Sequence, residues 1–284
     1  MEPRAYAASP VGANFLVASY SVSSGGVLVD PTLPITDVHA DVNGLALGIG
    51  HSFNFFGKLG LGTVAVPYAF LTATGNVGDQ RGETSRAGLA DARFKLSVNL
   101  RGNPAQSPRE FARTPRRTVI GASLVVTAPA SQYYPTRLVN VGTNRWAFKP
   151  EIGISIPKGR WDLDAYLGAW FFTANPDFFP GNVRRTQDPV ASFQLHASYT
   201  IRPRLWVAAD ATGYRGGASH VGDGKPAVNL NNSRAGVTVS LPVGARYSIK
   251  VAYSSGVVVQ TGTNFSTFAV GWQALWLSPR WSGR

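Results

Sequence analysis

His196, Ser198 and Asp210 are the residues of this chain whose types could support nucleophilic catalysis. His196 and Ser198 share a parity of one extended segment, and a three-residue turn at Arg202-Pro203-Arg204 sets Asp210 opposite His196. A hydroxyl, a base and an orienting carboxylate on one face are the parts of an acyl hydrolase. Side chains two apart in a strand diverge, however, and no oxyanion-stabilising feature accompanies them, so a salt bridge is the expected outcome. Glu151, Asp162 and Asp164 carry enough oxygen for calcium, but Lys149 and the neighbouring cations make ion pairing the better expectation. Asp30, Asp37 and Asp41 lack the spacing of a calcium loop, His39, His51 and His220 are isolated, and cysteine is absent. The glycines at 213–217 and 222–224 lack the strand-to-helix context of a phosphate loop. No catalytic residue, metal site or cofactor is expected.

The elements that must position these groups are strands. From Ala90 to Leu100 the apolar Ala90, Ala92, Phe94, Leu96, Val98 and Leu100 alternate with Asp91, Arg93, Lys95, Ser97 and Asn99. In a strand these parities are opposite faces, one apolar and one charged or polar. The same division recurs along most of the 284 residues, predicting about twelve strands over 13–22, 41–53, 59–73, 88–100, 118–129, 146–156, 161–174, 189–201, 205–215, 232–243, 247–257 and 265–277. Connections alternate long and short, as outer loops and periplasmic turns do in transmembrane barrels; the long basic segment 101–117 is the exception. A tight turn at Pro157–Arg160 would set Ser155 against Asp162 and Glu151 against Tyr166.

A soluble sandwich also alternates, but its strands are shorter. Here aromatics gather at strand ends (Tyr20, Phe53, Tyr68, Trp146, Trp161, Tyr199, Tyr247, Trp272, Trp276) and charges avoid the apolar parity. No window reaches the roughly 18 apolar residues of a spanning helix, so strands must do the crossing. The fold class expected is all-β, a transmembrane antiparallel up-and-down barrel forming one domain over 1–284. Residues 1–12 form an N-terminal periplasmic segment and 278–284 a C-terminal tail. Met1-Glu2-Pro3 does not begin a signal peptide, which an exported protein would have lost.

The formal net charge of +12 sorts by compartment. Long loops balance eight basic against eight acidic residues, and the polar faces balance Arg93, Lys95, Lys149, Arg234 and Lys250 against Asp91, Glu151, Asp162, Asp164 and Asp210. The excess, including Arg4, Lys58, Arg116, Arg160, Arg204 and Arg246, falls on the short-turn side against Glu2 and Glu110. A basic rim of this kind anchors the barrel at its interface or meets anionic headgroups. The arginines sit on separate turns without a stacking platform, which speaks against nucleic acid as a partner. Lumen-lining candidates are Arg93, Lys95, Lys149, Glu151, Asp162, Asp164, Tyr166, Trp170, His196, Asp210, Arg234 and Lys250. Phe172, Trp206 and Tyr214 share the inward parity.

Glu2-Pro3-Arg4-Ala5-Tyr6, Ser9-Pro10-Val11-Gly12, Asn14-Phe15-Leu16, Arg137 to Asn140, Asn144 to Glu151, Gly159-Arg160-Trp161, Gln187-Asp188-Pro189 and Asn232 to Gly236 together resemble the family described as "putative MetA-pathway of phenol degradation". The resemblance implies a Gram-negative outer-membrane barrel acting in transport, and brings no catalytic or binding set. The expected function is a porin-like channel for passive uptake of small solutes, aromatic or hydrophobic ones among them, with outer-membrane lipids and the solute as partners. A lipase-like barrel enzyme and a closed structural barrel are the alternatives.

Overall fold

The computed structural model describes residues 2–28, 35–224, 226 and 228–278. Asp30, Lys225, Arg280, Arg284 and all but Ser278 of the expected tail lie outside them. Because the alternating segments pair with their sequence neighbours, the chain forms β1 (Ala13–Leu28), β2 (Ile35–Phe55), β3 (Lys58–Val77), β4 (Gln80–Leu89) and β5 (Ala92–Arg101). Then come α1 (Pro108–Arg113), β6 (Val119–Ala128), β7 (Ala147–Lys158), β8 (Trp161–Phe172), β9 (Asn175–Phe178), β10 (Val183–Gln187), β11 (Val190–Arg202) and β12 (Leu205–Gly216). The chain closes with β13 (Ser219–Val221), β14 (Leu230–Val243), β15 (Tyr247–Val258) and β16 (Gly262–Leu277).

One antiparallel sheet runs in sequence order, and β1 pairs with β16 from Ala13↔Leu277, so the sheet closes on itself. β4 and β5 share one position end to end against β3, which gives a wall of twelve strands. Closure pairs the wall strands on both sides, the condition for β-structure in hydrocarbon, except along β4, which among the described residues pairs only with β3. β9, β10 and β13 form a separate small sheet from the long loops.

Burial is inverted relative to a soluble protein. Leu47, Ile49, Ile152 and Leu167 are 65%, 56%, 52% and 58% exposed, while Asp164, His196, Ser198 and Ser240 are buried. The apolar parity thus faces outward and the polar parity inward, as a lipid-spanning barrel requires. Rings gather where the wall leaves the hydrocarbon: Trp161 packs on Tyr199 at 4.9 Å and Tyr247 stacks on Trp272 at 5.5 Å near the short turns.

Three expectations need correction. The loop expected over 74–87 is mostly a hairpin, β3 and β4 pairing as far as Val77↔Gln80. Above the membrane both faces of a ribbon meet water, so alternation ends while pairing continues. The strand expected over 88–100 is broken at Ala90–Asp91, where the Ala90 N–H reaches back to the carbonyl of Pro67. Pro67 has no N–H of its own for the ladder, which loosens pairing at this level. Finally, β7 and β8 turn over Gly159-Arg160, so Ser155 faces Asp164 and Glu151 faces Gly168, two residues from the expected register but on the expected faces.

Residues 101–118 lie at the short-turn end. Ser107 caps α1 through a reciprocal capping box with Glu110. The Val11 N–H donates to the Gln106 carbonyl and the Ala105 N–H to that of Gly57, strapping the N-terminal segment across the barrel floor. Basic turn residues also bind neighbouring turns: Arg204 donates to the carbonyls of Gly244 and Ala245 at 2.8 and 2.7 Å, and Lys58 to that of Leu100 at 2.7 Å.

Candidate functional site

The lumen has two unlike walls. On β5–β8, β11, β12 and β14 the inward residues are polar and mostly buried, among them Ser97, Asn99, Ser123, Lys149, Glu151, Asp162, Asp164, His196, Asp210 and Thr238. On β1–β3, β15 and β16 the inward parity carries Ser19, Ser21, Gly44, Ala46, Gly48, Ser254 and Gly271, which are partly accessible. The polar wall is covered because the N-terminal segment lies against it. The accessible passage runs along the small-residue wall.

Residues 2–8, expected outside the barrel, enter the lumen. Tyr6 is 1% exposed, and its hydroxyl bonds Ser123 at 3.0 Å and donates to Glu151 at 3.2 Å. Its ring meets Tyr166 edge-on at 5.2 Å and lies over Gly121 and Gly153, where any Cβ would collide with it. Those glycines are directly paired across β6 and β7, so two missing side chains make one seat. Arg4 follows the same logic with charge. Its guanidinium bridges to Asp162 at 2.9 Å and donates to Thr200 at 2.7 Å, and its backbone N–H donates to Asp164 at 3.1 Å. Burial pulls the Arg4 guanidinium below its ordinary range, with Asp162 opposing that shift. Glu2 bridges to Lys95 at 2.7 Å. The Ala5 N–H donates to the Tyr166 hydroxyl at 3.0 Å.

The predicted lumen residues fall into groups. Lys95, Asp162, Asp164 and Tyr166 hold the plug, and Arg116 from the floor segment adds a second cation to Asp162. Lys149 and Glu151 pair at 2.5 Å, with Gln194 donating to the same carboxylate at 3.0 Å. Trp170 takes the Lys149 ammonium over its ring at 5.8 Å, and Trp206 takes Lys250 at 5.8 Å and Arg4 at 4.7 Å. His196 and Asp210 bond at 2.6 Å, and Thr238 donates to the other Asp210 oxygen at 2.7 Å. Arg234 donates to the Phe265 carbonyl at 2.8 Å. Arg93 is exposed to the lumen and makes no hydrogen bond or salt bridge among the described residues.

Neither chemical reading set aside at the outset gains support. His196 and Ser198 form no hydrogen bond with each other, and His196, Ser198 and Asp210 are 3%, 0% and 5% exposed. Asp162 and Asp164 turn to Arg4, whereas Glu151 turns to Lys149 and Tyr6, so the three carboxylates do not converge.

At the long-loop end, the loop between β6 and β7 folds onto the break in the wall. Ser131 donates to Asp91 at 2.6 Å and the Thr143 hydroxyl at 2.7 Å. Asn175 is buried where the loops meet, donating to the Tyr133 hydroxyl at 3.0 Å and accepting from Asn144 at 2.9 Å. Arg145 lies 4.3 Å over the Phe172 ring and Arg185 lies 4.9 Å over Phe178. Neither these two arginines nor the plug residues Arg4 and Tyr6 stood among the predicted lining. All four lie outside barrel strands, where no alternation marks them. Tyr6 and its seat are joined only by the tertiary fold.

The family model described as "Putative MetA-pathway of phenol degradation" matches residues 19–267. The fold is similar to the COG4313 outer membrane channel from Pseudomonas putida F1, with a TM-score of 0.83 and 20% identity over 97% of this chain and 100% of that one. The beta domain of the Bordetella autotransporter BrkA aligns with a TM-score of 0.54 and 12% identity, over 93% of this chain and 100% of that one. The NanC porin aligns with a TM-score of 0.51 and 7% identity, over 92% and 100%. All are barrels of the outer-membrane type. No curated protein sequence matches this chain.

Proposed function

The chain belongs to the family "Putative MetA-pathway of phenol degradation", and from that premise we propose that it is a passive outer-membrane channel for small aromatic solutes, with no catalytic step. The observation that carries this reading is the lumen itself. The accessible small-residue wall faces a wall whose inward rings each hold a cation, among them Phe172 with Arg145 and Trp170 with Lys149. Rings give a flat aromatic solute a surface to move along, and the cations attract the electron-rich face of a phenol. Glycine, alanine and serine opposite leave it room. The outer membrane channel of Pseudomonas putida F1, which shares the fold, is described as a channel, in keeping with this reading.

Export through a signal peptide removed before residue 1 is part of the proposal, as is contact of the basic turns with inner-leaflet headgroups. Liposomes carrying the purified protein should take up phenol and benzyl alcohol faster than empty liposomes, while planar bilayers show discrete conductance. Equal uptake with and without protein, together with silent bilayers, would leave a closed structural barrel.

A further inference from the structure

Four cations of the floor and the polar wall have an acid beside them. Arg4 and Arg116 share Asp162, Lys95 has Glu2 and Lys149 has Glu151. Among the described residues Arg145 and Arg185, at the outer mouth, have no such partner, as Arg234 and Lys250 in the lumen have none, but unlike those two they stand side by side. Neither Arg145 nor Arg185 forms a salt bridge among the described residues, and the shielded Nη1 of Arg145 has no hydrogen-bond partner. The acid that Arg145 senses, Asp91, accepts from the Ser131 hydroxyl and from the Thr143 hydroxyl and N–H and forms no salt bridge with it.

The two guanidinium groups are nonetheless built in. Arg145 donates to Gln187 at 2.5 Å, and Gln187 lies two residues from Arg185 on the same face of β10, which brings the cations together. Arg185 is steadied by the Ser219 hydroxyl at 3.3 Å, and each guanidinium rests on a phenyl face. Stacking leaves the N–H edges free of the rings; on Arg145, Nη2 goes to Gln187 and Nη1 is left as a shielded donor that an oxyanion would satisfy. Burial and then the like charge of Arg185 push Arg145 down to about 10, a repulsion that a bound anion would relieve. Below them the inward rings of Phe172, Trp170 and Tyr214 continue into the lumen.

We propose that Arg145 and Arg185 form a receptor for the carboxylate of a small aromatic acid, whose ring settles on Phe172, Trp170 and Tyr214 before the solute enters the passage. This inference rests on the channel reading and adds to it a preference for monoanionic aromatic acids over neutral aromatic solutes.

Benzoate and the neutral benzyl alcohol are the probes, titrated into the full-length protein in detergent by equilibrium dialysis, with inorganic phosphate as competitor. Benzoate is expected to bind at least about tenfold more tightly than benzyl alcohol, about 1.4 kcal/mol. In Arg145→Gln/Arg185→Gln that ratio is expected to fall towards one. Arg145→Lys, which keeps the charge but loses the fork, should fall in between and decides the matter if the double variant does not migrate as a folded barrel. Equal affinity for both probes in the wild type, or an unchanged ratio in the variants, overturns the receptor. Displacement of benzoate by phosphate as readily as by benzoate itself overturns the aromatic-acid assignment in favour of a general oxyanion site, such as a lipid phosphate would occupy. Benzyl alcohol uptake by protein-bearing liposomes reports on the channel separately: uptake with a ratio of one sinks only this inference, and no uptake of either probe sinks the channel.

Discussion

The two ends of the lumen use the same residue types in opposite ways. At the short-turn end, cations and rings are consumed internally: Arg4 by Asp162 and Thr200, Lys95 by Glu2, and Tyr6 by its glycine seat, Ser123 and Glu151. At the outer mouth, Arg145 and Arg185 are stacked and steadied but lack a carboxylate among the described residues. A buried charge is stable where it is paired, and an unpaired one is retained at a cost. The closed end is therefore organised for stability and the open end for reception.

The largest test of that contrast is to empty the closed end. Tyr6→Ala removes a fully buried ring and should weaken seating of the plug by about 3–5 kcal/mol, seen as a rise in single-channel conductance and solute flux. Gly153→Val should act in the same direction by filling the seat from the wall. Unchanged conductance in both would show that the plug does not limit flow. The frame shared by both ends is tested next. Leu96 and Ile152 face lipid, and Arg at either should cost about 2–4 kcal/mol of folding stability in bilayers if it lies near the midplane, measured by denaturant titration in lipid vesicles. Between the ends, Asp210→Ala leaves His196 and Thr238 without their buried acceptor. It should cost about 1–3 kcal/mol, whereas an unaltered denaturation midpoint would mean the belt is not structural.

The smallest effect is a pH response at Glu2. Enclosure by the barrel opposes its charge, but Lys95 and then Lys250 outweigh that and hold the carboxyl at about 2, below its ordinary 4.5. A lowered carboxyl stabilises the docked segment fully above 4.5 and loses that contribution as pH falls through about 2. Because the Glu2 side chain keeps two-thirds of its surface towards lumen water, the effect should stay below about 1 kcal/mol. Conductance should be flat from pH 7 to 4.5 and rise only well below that; a rise near pH 4.5 would place Glu2 away from Lys95.

The wall was legible because hydrocarbon outside and polar groups inside impose a period of two on each strand, and residues such as Leu96 and Lys95 report it directly. The facing of His196 and Asp210 followed from turn length alone. What escaped was whatever no face constrains. The β3–β4 ribbon stands in water on both sides, so its pairing left no alternation. The break at Ala90–Asp91 shifts the register against β3 by one residue, so that Leu89 before it and Phe94 after it both face outward, and it is set by Pro67 on another strand. Tyr6 and Gly121 are 115 positions apart and recognise each other by shape, and a glycine in a strand does not announce what lies upon it.

The seat of Tyr6 has a consequence for maturation. Residues 2–8, which dock inside the lumen, rest on side chains of β5, β6, β7, β8, β11 and β12, and the ring of strands is completed only when β16 meets β1. Docking of this segment therefore requires half of the wall to be in place, and a strand misregistered anywhere between β5 and β12 would leave it without its berth.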